Sequence, residues 1–205
     1  MSKNAESNKM YSFDLTYREK GYMQIAGIDE AGRGALAGPV VAAAVILPID
    51  CHIEGLKDSK QLTPNKRLEL FDEIHDIAIS VGVGSSDNKL IEHINILQAT
   101  MHAMKKAVKQ LNPKPDYLLV DGSKLPDIDI AAEAIPKGDN LSISIAAASV
   151  IAKTTRDKLM IELHHTYPNY GFQQHKGYPT KQHRQAIAKY GASVIHRSTF
   201  KLLAD

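Results

Sequence analysis

The stretch Ile25-Ala-Gly-Ile-Asp-Glu-Ala-Gly-Arg-Gly-Ala-Leu-Ala-Gly-Pro39 reads as a strand, a tight turn and the entry to a second strand. Asp29 and Glu30 close an apolar run. Gly32-Arg33-Gly34 follows at once, and a second apolar run over residues 40–47 comes after Pro39. Runs apolar nearly throughout suit strands covered on both faces. Strand ends in α/β sheets are common ligand sites, so two carboxylates beside bare glycine backbone make this turn the first candidate site.

Three chemistries fit the turn. Gly27 and Gly32 have the spacing of a P-loop, but Arg33-Gly34 stands where Lys-Ser/Thr would grip phosphate and metal, and two carboxylates repel a bare phosphate. Alternatively, the carboxylates hold Mg²⁺ or Mn²⁺, hard cations that prefer oxygen, and so serve phosphoryl chemistry. The bland reading is an acidic turn whose glycines serve only backbone angles.

Working outward, the pattern alternates strands and helices. Strands are expected over residues 23–28, 40–47, 78–85 and 117–120, with an extended segment over 128–135. Thr63 and Pro64 start a helix, with Leu68, Phe71, Ile74 and Ile77 or Ala78 as its apolar stripe. A short helix over 88–93 and a better one over 94–111 precede the breaker Asn112-Pro113. Residues 141–167 form the longest helical reading, made slim by Ala146, Ala147 and Ala148. Residues 168–180 read as a loop, Thr180 caps a helix that Gly191 ends, and residues 194–203 form a short last element. This alternation implies α/β architecture with a mixed sheet and helices on both faces, then a helical C-terminal part. Residues 1–22 are expected to be a loose or weakly helical polar lead-in, with one domain over 23–205.

The chain has 205 residues, 43% of them hydrophobic, and a net charge of only +2. The charge is unevenly spread: residues 153–201 carry nine lysines and arginines against Asp157 and Glu162. Such a basic arm suits a polyanionic partner or a solvated helical surface. The single cysteine, Cys51, allows no intrachain disulfide and fits a reducing compartment. Residues 1–21 hold no apolar signal core, and no apolar run is long enough for a bilayer span, so a cytoplasmic protein is expected.

Gly27-Ile-Asp-Glu-Ala-Gly-Arg-Gly34 with Gly38-Pro39 resembles the opening signature of ribonuclease HII. The likeness continues in order through Asp58-Ser59-Lys60, Val120-Asp121-Gly122, Ala147-Ala-Ser-Val-Ile-Ala-Lys-Thr-Thr-Arg-Asp157 and His175-Lys-Gly-Tyr-Pro-Thr180. It covers residues 23–205. Where the family often has Asp-Ser-Lys-Lys-Leu, this chain has Gln61 at the fourth place. The resemblance implies a ribonuclease H-like mixed β-sheet flanked by helices, with a small helical C-terminal subdomain. It implies hydrolysis of the RNA strand of RNA–DNA hybrids and cutting beside ribonucleotides embedded in duplex DNA, by a monomer using two Mg²⁺ or Mn²⁺ ions.

The same resemblance implies that Asp29, Glu30, Asp121 and Asp157 are the metal-binding catalytic acids. By spacing alone, Asp121 before Gly122 is also turn chemistry. Asp157 falls four residues after Lys153 on one helix face, as an ordinary surface pair would. The resemblance further implies that the Gly32-Arg33-Gly34 turn reads the ribose 2′-hydroxyl and that Tyr178 stacks on the next, deoxy sugar. Without it, Tyr178 is a half-buried tyrosine in a Gly-Tyr-Pro turn. Lys60, Ser149 and Lys153 are candidate phosphate contacts, and Lys176, Lys181, Arg184 and Arg197 candidates for non-specific backbone attraction. A P-loop-like nucleotidase and a non-catalytic hybrid-binding module remain the alternatives.

Overall fold

The computed structural model describes residues 3–49, 51–56, 59 and 62–203, with the side chains of residues 3–8 left aside. Its centre is a five-stranded mixed sheet in the order β3-β2-β1-β4-β5, built from β1 (Ile25–Ala31), β2 (Val40–Ile46), β3 (Ser80–Ser86), β4 (Tyr117–Asp121) and β5 (Ala131–Ile135). β1, β2 and β3 pair antiparallel, whereas β4 and β5 add in parallel to β1. β1 extends three residues beyond the expected end, so Asp29 and Glu30 lie within the ladder, opposite Ala43 and Ala42.

β2 is buried throughout, and its alternating side chains feed two cores. Ala43 and Val45 face α2 (Pro64–Ile77) and α4 (Ile143–Thr166). Ala42, Ala44 and Ile46 face α3 (Asn88–Lys109). Covering on both faces is why the run needs no polar alternation. Gly27 permits the closest approach: a Cβ there would stand 2.0 Å from the Ser144 carbonyl carbon in the first turn of α4. Any side chain at 27 pushes α4 off the sheet.

The two helices expected over residues 88–111 form one element interrupted at Asn95, whose φ of 66° breaks the helical geometry. On α2 the buried residues are Leu70 and Ile74, while Leu68 is exposed. The apolar stripe is therefore rotated from the expected one, and Arg67 falls on the inward side. The lead-in is a helix, α1 (Lys3–Arg18). Met10, Asp14 and Tyr17 bury against the body, and Asp14 Oδ2 accepts from the Ser144 N–H at 3.1 Å and its hydroxyl at 2.6 Å.

The segment expected as a loop over 168–180 contains a 3₁₀ turn, Pro168–Tyr170, and a short helix, α5 (Phe172–His175). With α6 (Lys181–Tyr190) they enclose a small core of Leu36, Ala37, Met160, Tyr170, Phe172 and Ile187. Residues 194–203 form neither helix nor strand but bridge back to the sheet entry at Ala37 and His196. Among the described residues no helix is long and apolar enough to cross a membrane.

Candidate active site

The parallel register pairs Ile28 with Val120, so Asp29 in β1 and Asp121 at the end of β4 each follow the last pair of that ladder and fall side by side. Asp29 is buried. Burial, then the charges of Glu30 and Asp121, push its carboxyl well above the usual carboxylate range. Hydrogen bonds from the Ser149 hydroxyl and from the Glu30 N–H, 2.6 Å from Oδ1, act the other way and are outweighed. Three expected acids therefore share one neighbourhood. Asp121 Oδ1 accepts from the Gly138 N–H at 2.7 Å, while Glu30 Oε1 meets Arg33 at 3.1 Å.

Asp157, expected with them, is held elsewhere. Its carboxylate lies 2.6 Å from Lys153 Nζ and 3.3 Å from Arg67 Nη1, and it lines a neighbouring cleft of about 160 Å³. Asp139 follows Gly138, whose N–H binds Asp121; it sits in the 3₁₀ turn Gly138–Asn140 and is buried. Asp139 has no role among the expectations from sequence.

Among the described residues no three His, Cys, Asp or Glu side chains already form a metal cage. The donor set nevertheless fits a divalent cation. It is all oxygen, and burial together with the charges of Glu30 and Asp121 makes the ionised Asp29 costly, a cost that a cation would offset.

Next to the acids lies a cleft of about 490 Å³ lined by Glu30, the Gly32-Arg33-Gly34 turn, Ser59, Arg67, Ser149, Lys153 and Tyr178. It gathers the expected substrate contacts Gly32, Arg33, Gly34, Ser149, Lys153 and Tyr178; Lys60 lies outside the described residues, as does Asp58. The Ser149 hydroxyl serves two neighbours, Asp29 and the Ser59 hydroxyl at 2.9 Å. Burial lowers the pKa of Lys153, against the pull of Asp157. Arg67 is an addition to the expected set. It donates to the carbonyls of Ser59 at 3.0 Å and Leu62 at 3.1 Å, and its inward place at i−3 and i−7 from Leu70 and Ile74 was the sign of it.

The turn itself is held by two buried arginines. Arg197 donates to the carbonyls of Gly32 (2.8 Å), Arg33 (2.9 Å) and Gly38 (2.9 and 3.1 Å). Arg156 donates to Pro39 (2.9 Å), Ala37 (3.2 Å) and Lys176 (2.9 Å), and its guanidinium lies 5.2 Å from the Tyr178 ring centre. Gly32 has φ of 96°, and a Cβ there would meet Arg156 Nε at 1.9 Å, so glycine is required twice over. Arg197, expected to attract nucleic acid, is fully buried and cannot. Arg184 is likewise engaged, with the carbonyls of Lys201 and Leu202 at 3.0 and 2.7 Å. The P-loop reading fails on topology: the turn leads into antiparallel β2, not a helix whose N-terminus would cradle phosphate.

Residues 26–203 match the family model for ribonuclease HII. A ribonuclease HII from Acetivibrio thermocellus is 60% identical over 94% of this chain and 75% of its own length. One from Geobacter sulfurreducens is 55% identical over 94% and 88%. Among solved structures, the ribonuclease H2 of Pyrococcus horikoshii OT3 is similar with a TM-score of 0.72 and 30% identity, covering 88% of this chain and 95% of its own. Bst-RNase HIII, solved in complex with Mn²⁺, shares the fold with a TM-score of 0.70 at 21% identity, over 88% of this chain and 68% of its own. A match this continuous, carried by relatives of full domain length and by the same α/β sheet, places the chain in the ribonuclease HII family, as a phosphodiester-cleaving ribonuclease H.

Proposed function

We propose that this ribonuclease H cuts the RNA strand of RNA–DNA hybrids and cuts 5′ of ribonucleotides embedded in duplex DNA, leaving a 3′-hydroxyl and a 5′-phosphate. The observation that carries the reading is the buried Asp29 among Glu30 and Asp121, at the edge of a cleft that also holds the glycine turn and Tyr178. In this reading Asp29, Glu30 and Asp121 hold Mg²⁺ or Mn²⁺. Two bound ions of this kind supply an activated water and charge neutralisation at the leaving 3′ oxygen.

The chain's own groups supply the rest. Gly32 and Gly34 let backbone groups approach the ribose, where a 2′-hydroxyl distinguishes RNA from DNA. Tyr178 offers a ring face for the next sugar, and a 2′-hydroxyl there would obstruct it. Lys153, with Lys60 and Ser149, meets the phosphate. The fourth acid is the one place where we depart from the family-based expectation. Asp157 is neutralised by Lys153 and Arg67 and serves to aim those two cations. Asp139, next to the Asp121 turn, takes the fourth carboxylate's place.

The test is a DNA duplex holding a single ribonucleotide, incubated with Mg²⁺, Mn²⁺ or EDTA, with the cut mapped. Cutting 5′ of the ribonucleotide, lost in EDTA, is expected. A 2′,3′-cyclic phosphate would mean the neighbouring hydroxyl attacks, not water. In the same assay Asp139→Asn should cost more than Asp157→Asn, by roughly tenfold or more if Asp139 ligates and Asp157 acts one step removed. The reverse order would restore Asp157 to the metal site.

A further inference from the structure

Three histidines lie buried behind Tyr178: His175, His183 and His196. Their protonation follows from what each nitrogen faces. The Ser193 N–H, 2.9 Å from His196 Nδ1, can only donate, so that nitrogen is bare; the Ser193 hydroxyl at 2.8 Å adds a second donor. The Tyr178 carbonyl, 3.0 Å from His183 Nδ1, can only accept, so that nitrogen carries hydrogen. The two Nε2 atoms are 3.0 Å apart. One must give and one receive, and a neutral imidazole carries one N–H. His196 Nε2–H therefore donates to His183 Nε2, and both rings are neutral. His175 follows the same logic, receiving the Gly177 N–H on Nδ1 at 3.2 Å and donating from Nε2 to the Tyr170 carbonyl at 2.7 Å. It stacks on His183 with centroids 4.4 Å apart.

The chain of bonds has a direction and two ends. One end is Tyr178, whose carbonyl also accepts from the Thr180 N–H at 2.8 Å. The other end is the segment around His196, which bridges to Ala37. The adjacent Arg197 gives its N–H to Leu36 and its guanidinium to the carbonyls of Gly32, Arg33 and Gly38. We infer that His183 and His196 are positioning residues, a strut of two neutral imidazoles that sets the spacing between the Gly32–Gly34 turn and the Tyr178 ring. The purpose of the strut rests on the proposed ribose-reading roles of those two elements; its existence does not.

Burial holds all three histidines below their ordinary pKa, His183 at about 4, which agrees with neutral rings. Neither His183 nor His196 lines the cleft, so an effect on selectivity has to travel through the elements they join.

The first test is nitrogen NMR of the imidazoles at neutral pH in the intact protein. The expected result is the Nδ1–H form for His183, the less common tautomer, and the Nε2–H form for His196 and His175. An Nε2–H His183, or a charged ring on either strut residue, overturns the inference. The second test compares cleavage of a single ribonucleotide in DNA with cleavage of a continuous hybrid. His183→Asn keeps an amide near the Nδ1 position but cannot reach His196. Its single-ribonucleotide cleavage should fall about three- to tenfold relative to the hybrid, the worth of one net hydrogen bond. His196→Gln, whose amide nitrogen stands near Nε2, should restore most of that ratio. Equal losses on both substrates would make the strut merely structural and overturn its role in selectivity. A wild-type protein that cuts neither substrate would sink the nuclease reading and the strut's purpose with it, while the tautomers still report whether the strut exists.

Discussion

The molecule buries two clusters of charge, and it treats them in opposite ways. Arg156 and Arg197 are wholly inside, and among the described residues neither is ion-paired to a carboxylate, although Asp157 lies within electrostatic reach of Arg156; their N–H groups end on backbone carbonyls, in three hydrogen bonds for Arg156 and four for Arg197. Asp29 is buried to a similar degree. It receives one backbone N–H and the Ser149 hydroxyl while facing two further acids. In the cationic cluster carbonyl dipoles already receive the N–H groups, although burial lowers both pKa values, that of Arg197 to about 9 with a further push from the charge of Arg156. The acidic cluster is left short of positive charge. Buried like charges are costly unless something pairs with them, so the difference marks one region as scaffold and the other as a place where a ligand completes the structure.

The comparison breaks most readily at Asp29. Burial and the charges of Glu30 and Asp121 raise its folded pKa, so its ionised form costs stability, and that cost grows as pH rises above 3.8. Asp29→Asn removes the charge and keeps the shape. Thermal unfolding without metal should move to higher temperature, while cleavage falls by more than about a hundredfold, beyond the 10–100-fold typical of groups one step removed from a metal. Adding Mg²⁺ or Mn²⁺ should raise the wild-type midpoint more than the variant's. A variant less stable than wild type would mean that the acids are as well satisfied as the arginines, and the contrast would vanish.

The opposite substitution probes the complete side. Arg197→Met removes the donors from three carbonyls at the glycine turn. Each orphaned buried carbonyl costs about 1–3 kcal/mol, so chemical denaturation should show a loss of at least about 3 kcal/mol. A loss under about 1 kcal/mol would show that those carbonyls find water, and that the guanidinium is not what holds the turn.

Much of this was legible in the chain, and the failures have physical causes. β2 was readable because a strand buried on both faces is apolar throughout, and the caps Thr63 and Thr180 because their hydroxyls accept from the third residue on, at 3.3 and 3.2 Å. Asp29, Glu30 and Asp121 were readable because strand ends are marked by their apolar runs. Helical spacing read Asp157 as a partner of Lys153, as it is; what spacing does not reveal is the second partner, Arg67, which comes from another element ninety positions away. Arg197 was read as a surface charge because composition cannot distinguish a cation facing solvent from one facing carbonyls. Asp139 lay in a turn without periodicity, and only the Gly138 N–H to Asp121 bond reveals where it stands.

The smallest expected effect sharpens the contrast through pH. His183 has its pKa pushed down to about 4 from 6.5, with His175 and His196 also lowered. Their stabilisation is present above pH 6.5 and is lost as pH falls towards 4, because the unfolded chain takes up the protons first. Asp29 runs the other way: with its folded pKa raised from 3.8, the folded state binds the proton first, so acid relieves a cost. In the wild type the two slopes oppose each other between about pH 6.5 and 4. In Asp29→Asn that opposing contribution is gone while the histidine slope and the smaller opposing one of buried Asp14 remain, so its unfolding midpoint should fall more steeply with acid than the wild type's across that window. Parallel curves for the two proteins would show that the Asp29 carboxyl titrates as in open solvent, and the acidic cluster would lose its claim to be unfinished.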